Sequence, residues 1–429
     1  CMVVETAKNQ IILNQIVGQK KENRTIETDI IVNDVKPDVL NVITTNGVVN
    51  VYRKEVMEGK VRIDGAINTY VIYMADNEQS GIRSLNTTLD FTQVIDMENA
   101  KENMETQVNV SINNFDTKII NGRKLNIKVN LEISTSIYSN ESCDVITGVE
   151  NINNVQLLNN VQKITSLVGS GSNKTTAKDT IAIDAADEVA EIMKVNFQIV
   201  DAETKISYNK ILSKADAVVE IMYLTEENRI NRVTTRIPVM GFVDIQNVNE
   251  NCECEVQNTL SNLTVKPNGR EDHSISVDAE IEMTCSAYET KEVDIIEDLY
   301  SITEDIDFTK REIRAVTERN NISDIYTMKE NIRIPELTGR VLDIQIKPKI
   351  NTTQVRNGKI IYEGNLSLEI LFEQNNNINL RTVDLPFNFD VNSDKIEDKS
   401  KINTVLEIRQ NDFVIKDGTI ETTIGIRFN

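Results

Sequence analysis

Alternating apolar and polar residues recur along the chain in three stretches that resemble one another. GKVRIDGAINTYVIYM at 59–74 aligns without a gap with NKILSKADAVVEIMYL at 209–224 and with GKIIYEGNLSLEILFE at 358–373. The stretches are offset by 150 residues (59 to 209) and by 149 residues (209 to 358). Self-similarity at a fixed period is the signature of a repeat architecture, so the sequence predicts three tandem copies of one unit.

The period-two alternation within each stretch predicts a β-strand. Each strand follows a polar turn pair, and these pairs are Glu58-Gly59, Tyr208-Asn209 and Asn357-Gly358. The sequence therefore places a hairpin at the start of every repeated stretch.

A second hairpin is predicted later in every copy. Both central residues of a type I′ turn need positive φ, which Asn-Gly and Asp-Gly pairs supply. The predicted turns are Asn121-Gly122, Asn268-Gly269 and Asp417-Gly418.

These patterns indicate a mainly β protein with three tandem antiparallel β-sandwich-like domains, arranged as a string, with minor helical content. The period sets the predicted domains at 1–150, 151–300 and 301–429. Short helical turns are expected at four places in the sequence: Val35–Val42, Asp187–Val195, Leu337–Asp343 and Ile295–Ser301.

The charge balance excludes several classes of partner. Lys and Arg total 46 against 67 Asp and Glu, a formal net charge of -21. Such a surface repels nucleic-acid phosphates and anionic lipids, so neither nucleic acid nor membrane insertion is expected. The longest apolar runs, such as Tyr70–Met74, are far shorter than the ~20 residues of a membrane helix. We expect no secretory leader, because no basic region followed by an apolar core opens the given sequence. We therefore expect a protein made in the cytoplasm.

The five cysteines cannot all pair within one chain. Cys143 and Cys285 are expected to be small apolar core residues. Cys1, Cys252 and Cys254 are the candidates for an intermolecular disulfide in an oxidising compartment. The Cys252-x-Cys254 spacing is not that of a zinc knuckle and no second ligand pair follows, so no metal is expected.

The sequence offers few residues that are suited to catalysis. His273 is the single histidine, and it is expected to lie on the rim of a strand. The Gly-rich stretch GSGSNKTT at 169–176 lacks the spacing of a phosphate-binding loop, and the acidic cluster Glu304–Asp307 lacks the twelve-residue calcium pattern. Glycan hydrolysis needs a pair of carboxylates in a groove. No copy offers an acidic pair that is absent from the other copies and flanked by aromatic residues, and the chain has no Trp. We expect no enzyme activity and no cofactor.

Three runs resemble the SPOCS domain of spore-coat proteins from anaerobic spore formers. They are DIIVNDVKPDVLNVITTNGVV at 29–49, GKVRIDGAINTYVIYM at 59–74 and LDFTQVIDMENA at 89–100. The run EVDIIEDLYSITEDIDFTKREI at 292–313 is similar to the passage between domains in that family. The resemblance covers most of the chain and implies a fold more specifically than a role.

Members of the SipL type are morphogenetic proteins that help encase the developing spore and end in a LysM module. In that family the LysM module mediates binding to the basement-layer ATPase of the coat. This sequence stops at Asn429, at the end of the last predicted hairpin, so that binding role is not expected here. The resemblance then implies a non-catalytic structural subunit of the endospore coat, exosporium or appendage, made in the mother cell and deposited on the spore surface.

Antiparallel repeats expose sheet edges that invite pairing with another chain. We therefore expect self-association into a homo-oligomer, filament or lattice. The alternative is an adaptor that recruits other spore-coat proteins without polymerising.

Overall fold

The computed structural model describes residues 3–77 and 81–429. Within these ranges, the chain forms six three-stranded antiparallel sheets, two in each repeat. The predicted mainly β, sandwich-like class is confirmed.

In the first repeat, the central sheet is the meander β2-β3-β4, and the outer sheet has the order β1-β6-β5. The outer sheet joins the first strand of the repeat to its last hairpin. The strand bounds are β1 Thr6–Ile31, β2 Val39–Met57, β3 Lys60–Ala75, β4 Ile82–Asp96, β5 Glu105–Asn121 and β6 Lys124–Val149.

The second repeat has the same order, with central sheet β8-β9-β10 and outer sheet β7-β12-β11. A single 3₁₀ turn, Arg270–Asp272, separates the last two strands. The strand bounds are β7 Val155–Ala182, β8 Val189–Ser207, β9 Lys210–Thr225, β10 Ile230–Asp244, β11 Glu253–Pro267 and β12 Ser274–Ser301.

The third repeat keeps the arrangement with shorter outer strands, in sheets β14-β15-β16 and β13-β18-β17. The strand bounds are β13 Asp324–Arg333, β14 Val341–Arg356, β15 Lys359–Gln374, β16 Asn377–Asn392, β17 Leu406–Lys416 and β18 Thr419–Phe428.

Each repeat buries one core between its two sheets. In the first repeat, Ile63 and Ile67 of β3 and Leu125 and Ile127 of β6 are all completely buried in one cluster. The same alternation buries Ile221 of β9 in the second core and Leu368 of β15 in the third. The apolar positions of the period-two pattern thus face inward, as expected for half-buried strands.

The predicted helical turns are wrong. Val39, Val189 and Val341 begin strands inside the first three stretches, and Ile295–Ser301 lies within β12. In the described residues the one helical element is the turn Arg270–Asp272. Pairing along a whole neighbouring strand outweighs the weak helical preference of a few residues.

One of the three predicted type I′ turns is confirmed. Asp417 and Gly418 have φ values of 48° and 73°. The pair at Gly122 has no positive φ, and the Gly122 carbonyl oxygen accepts a backbone hydrogen bond from Val39 N at 2.9 Å. At Gly269, where φ is -55°, the hairpin widens into the 3₁₀ turn instead.

The three central sheets of the tandem repeats contact one another in a closed order. Strand β4 contacts β8, β10 contacts β14, and β16 contacts β2. These are equivalent pairs of strands in successive repeats. The tandem repeats therefore form a pseudo-threefold ring rather than an open row.

An apolar cluster lies where the three central sheets meet, and nine of its members, all but Leu224, occupy equivalent positions in the repeats. Three of them are the extra residues of β-bulges that recur at one place in β2, β8 and β14. A bulge re-aims a side chain, here out of the repeat and into the shared cluster. The three equivalent sets are Ile43, Met193 and Leu342; Ile72, Met222 and Leu371; and Ile82, Ile230 and Ile378.

Candidate interaction surface

The candidate cross-linking cysteines lie in different environments. Cys1 lies outside the described residues. Cys252 is buried, and Cys254 packs against the same apolar cluster, which also contains Cys285 and Val243. Burial raises the pKa of Cys254 to about 12 and that of Cys285 to about 11.

A protonated thiol is a poor nucleophile, so Cys252 and Cys254 are protected from oxidation while this cluster stays packed. The intermolecular disulfide through Cys1, Cys252 or Cys254 stays a prediction. Cys285, at 0% exposure, is the apolar core residue that the sequence predicts.

His273 lies on the rim of the 3₁₀ turn with φ 43°, and its Nδ1 is 2.8 Å from the carbonyl oxygen of Asp187. Among the described side chains, no group of three or more His, Cys, Asp or Glu residues could hold a metal ion. The Gly-rich stretch 169–176 lies within β7 and pairs with β12, so it forms no phosphate loop.

Two long ribbons project beyond the three-stranded outer sheets. β6 pairs with β5 only as far as Tyr138, and the rest of β6 pairs with β1 alone. β12 likewise continues past Tyr288 with β7 as its only partner. We call residues 6–15 with 139–149 ribbon one, and residues 155–166 with 289–301 ribbon two.

The two ribbons pack against each other. Their shared interface is apolar and contains Ile11, Leu13, Val145, Ile164 and Val293, all at 6% exposure or less. At its edge, the backbone N–H of Ile12 donates to Ser166 Oγ at 2.9 Å. A two-stranded ribbon is marginal in water by itself, so this mutual burial is what stabilises both.

Residues 302–323, which we call the junction segment, contain no strand and run across both ribbons. Thr165 N donates to the carbonyl oxygen of Val316 at 2.7 Å, and Gln15 Nε2 donates to that of Arg314 at 2.7 Å. Farther along, the Arg319 guanidinium lies 3.8 Å from the centre of the Tyr288 ring. The segment therefore fixes the ribbon pair to the third repeat.

The ribbons and the junction segment expose large apolar side chains. Exposed apolar side chains gathered on projecting elements are candidates for an interaction site. The residues are Ile146 (42% exposed), Leu158 (58%), Val161 (60%), Tyr300 (61%), Ile302 (69%) and Phe308 (45%). We call this set the ribbon face.

Acidic side chains accompany the ribbon face. Glu304, Asp305 and Asp307 are exposed in the junction segment between Ile302 and Phe308. The acidic cluster predicted from the sequence is therefore a solvated stretch of the surface.

Sequence reasoning did not identify the ribbons. The signal was present, because the apolar alternation from Leu125 runs to Ile133 and resumes at Ile137 after Thr135, and no Gly or Pro interrupts the chain before Gly148. A strand of this length exceeds the usual 3–10 residues and extends beyond a compact sheet.

Comparison with known proteins identifies one family. The family described as SipL, SPOCS domain, matches residues 38–120, 188–268 and 339–416. Each match spans a central sheet and the next strand, β5, β11 or β17, so both ribbons lie outside it. Neither the curated proteins nor the solved structures contain a match. No helix of the described residues is long and apolar enough to cross a membrane.

Proposed function

The three matches together span more than half of the chain, which therefore belongs to the SPOCS-domain family of spore-associated proteins, and from this premise we propose a structural role. The protein is a non-catalytic subunit of the bacterial endospore envelope. It self-assembles through its repeated β domains after synthesis in the mother cell, and it is deposited on the spore surface.

The ribbon face is the observation that carries this proposal. The central sheets already contact one another around the ring, so their main apolar surfaces are occupied within one chain. The ribbons instead present Leu158, Val161 and Tyr300 to solvent. Ribbon one and ribbon two already pack face to face, so the ribbon of a second copy can cover Leu158, Val161 and Tyr300 by the same kind of contact.

The surroundings of the reactive groups support a role without catalysis. The Nδ1 atom of His273 lies within hydrogen-bond distance of the Asp187 carbonyl oxygen. The pKa of Cys254 is raised, so the Cys254 thiol stays protonated at neutral pH. A general base or nucleophile has to be available near its working pH.

Sedimentation velocity at increasing concentration tests the assembly surface. We expect the unmodified chain to form larger species and the double variant Leu158→Lys, Val161→Lys to remain monomeric. Ile325→Lys is the matched control, since Ile325 is 48% exposed but lies on β13 in the third repeat. An unmodified chain that stays monomeric at every concentration would contradict self-assembly and favour the adaptor that recruits other coat proteins.

A further inference from the structure

An ion pair closes the junction between the first two repeats. Lys36 Nζ lies 2.8 Å from Glu191 Oε2, and the guanidinium of Arg83 binds the other carboxylate oxygen. The backbone N–H of Ser84 also donates to Glu191 at 2.9 Å. The Glu191 side chain is only 6% exposed, so the contact is tight.

The equivalent positions at the next junction carry the opposite charges. Lys36 N donates to Asn33 O, and Asp187 N donates to Asp184 O in the matching turn, both at 2.9 Å. Asp187 therefore takes the place of Lys36.

The strand register identifies the second replacement. Ile192 pairs with Tyr223, and Val341 pairs with Phe372 at the equivalent point. The residue before each is Glu191 in the second repeat and Arg340 in the third, so a guanidinium replaces the carboxylate.

The reversed pair does not close. In the described part of the chain, Asp187 receives hydrogen bonds from Tyr223 OH (2.8 Å) and Asn231 Nδ2 (2.7 Å) instead. Arg340 NH2 donates to the carbonyl oxygen of Ile230 at 3.0 Å and lies 3.3 Å from Glu373 Oε1. An open cavity of about 440 Å³, lined by both Asp187 and Arg340, remains at this junction.

Arg340 is the cationic residue of this cavity that is accessible to a ligand. The side chain of Arg340 is 54% exposed, and although its NH2 binds Glu373 and Ile230, its NH1 has only a 3.5 Å contact with Asn231 Oδ1. Arg232 is less exposed, at 31%, and lies 3.1 Å from Asp343. Asp187 is 3% exposed and already hydrogen-bonded. A guanidinium presents several N–H donors in a plane that matches a carboxylate. Val233 and Leu342 add apolar wall beside it.

We propose that this cavity binds a carboxylate from the acidic run Glu304–Asp307 of a second copy of the chain. This rests on the proposed function. The run is exposed, and Ile302 and Phe308 flank it with exposed apolar side chains that suit the apolar wall. Cavity and acidic run lie on different parts of one chain, so their contact is heterologous and extends into a ring or a filament.

A peptide probe tests this contact apart from assembly. The peptide SITEDIDFT, residues 301–309, is titrated calorimetrically into the full chain at a concentration where the chain is monomeric. We expect 1:1 binding, which weakens about tenfold or more in Arg340→Gln because the charge-assisted bond is lost. Arg356→Gln is the control, since Arg356 is exposed at the far end of β14, the strand that begins directly after Arg340.

A second peptide, in which Gln replaces Glu and Asn replaces Asp, should not bind. This control leaves the protein itself unchanged. Absence of binding by the acidic peptide, or equal binding of both peptides, would overturn the proposal. If the small dicarboxylate glutarate binds with the same affinity as the acidic peptide, the assignment of the ligand to a second copy of the chain is overturned. If Arg340→Gln assembles like the unmodified chain while the Leu158 and Val161 variant does not, this inference fails and the proposed function stands.

Discussion

Lys194 and Asp343 occupy equivalent positions in the second and third repeats and bind each other, with Nζ and Oδ2 2.5 Å apart. Both follow the recurring β-bulge directly, and each side chain is less than 10% exposed. The third equivalent residue is Thr44, which has no charge. The same position is therefore threonine in the first repeat, lysine in the second and aspartate in the third. This difference distinguishes the three junctions of the ring.

Breaking this pair should destabilise the chain strongly. Lys194→Met leaves Asp343 buried with Arg232 as its remaining cation, and loss of one partner of a buried pair typically costs about 3–5 kcal/mol. Chemical denaturation measures the effect. The double variant Lys194→Met, Asp343→Leu should recover much of the loss, and a single variant as stable as the unmodified chain would contradict the account.

The apolar cluster at the ring centre should contribute to stability through its bulge residues. Met193 is completely buried, so Met193→Ala should cost about 2–5 kcal/mol through lost contacts and the remaining cavity. Met240→Ala is the matched control, because Met240 is 56% exposed and should change stability by less than about 0.5 kcal/mol. Equal effects of the two substitutions, measured by thermal unfolding, would show that the repeats do not depend on a shared centre.

Close packing requires glycine at two equivalent positions of the central strands, Gly65 in β3 and Gly364 in β15. A Cβ at Gly65 would lie 2.3 Å from the Asn50 carbonyl oxygen and 2.5 Å from Phe91 Cζ. Gly65→Ala should therefore cost at least about 1–3 kcal/mol, as overpacking does. At the equivalent point the second repeat pairs Ala215 with Val239, which leaves room for a methyl group.

The reverse substitution is the control. Ala215→Gly should cost only about 0.5–1 kcal/mol, from backbone entropy and one lost methyl group. The two variants are compared by their denaturation midpoints. If Gly65→Ala is tolerated as well as Ala215→Gly, the steric argument fails.

The buried thiol should make the chain less stable in alkali. The pKa of Cys254 in the folded chain is about 12, above its usual 9.0, because burial disfavours the thiolate. Its contribution is therefore complete below pH 9 and is lost as the pH rises from 9 toward 12, since only the unfolded chain ionises readily. Melting temperatures between pH 8 and 10 should fall less steeply in Cys254→Ala than in the unmodified chain. Parallel slopes would exclude this thiol as a source of the pH dependence.

Much of the fold follows from local patterns. The alternation at 59–74, 209–224 and 358–373 predicts the strands β3, β9 and β15 and the repeat itself. The predicted turn at Asp417 and Gly418 also follows from residue type alone, since both residues have to adopt positive φ.

The arrangement of the repeats depends on contacts that no local pattern encodes. Ile43 is one more apolar residue in an apolar strand until a bulge turns it toward Met193 and Leu342. The predicted type I′ geometry is wrong at Gly122 and Gly269, since neither pair has positive φ although its residue types allow it. The charge reversal from Lys36 to Asp187 becomes meaningful only when the register shows that the two are equivalent.

Negative-stain electron microscopy of the purified chain at increasing concentration, with and without reductant, shows directly whether the chain self-assembles. We expect ordered filaments, rings or sheets that disappear in the Leu158→Lys, Val161→Lys variant. Loss of order in reductant alone would assign the contact to the cysteines instead, with Cys1 as the first candidate. Dispersed single particles at every concentration would contradict self-assembly.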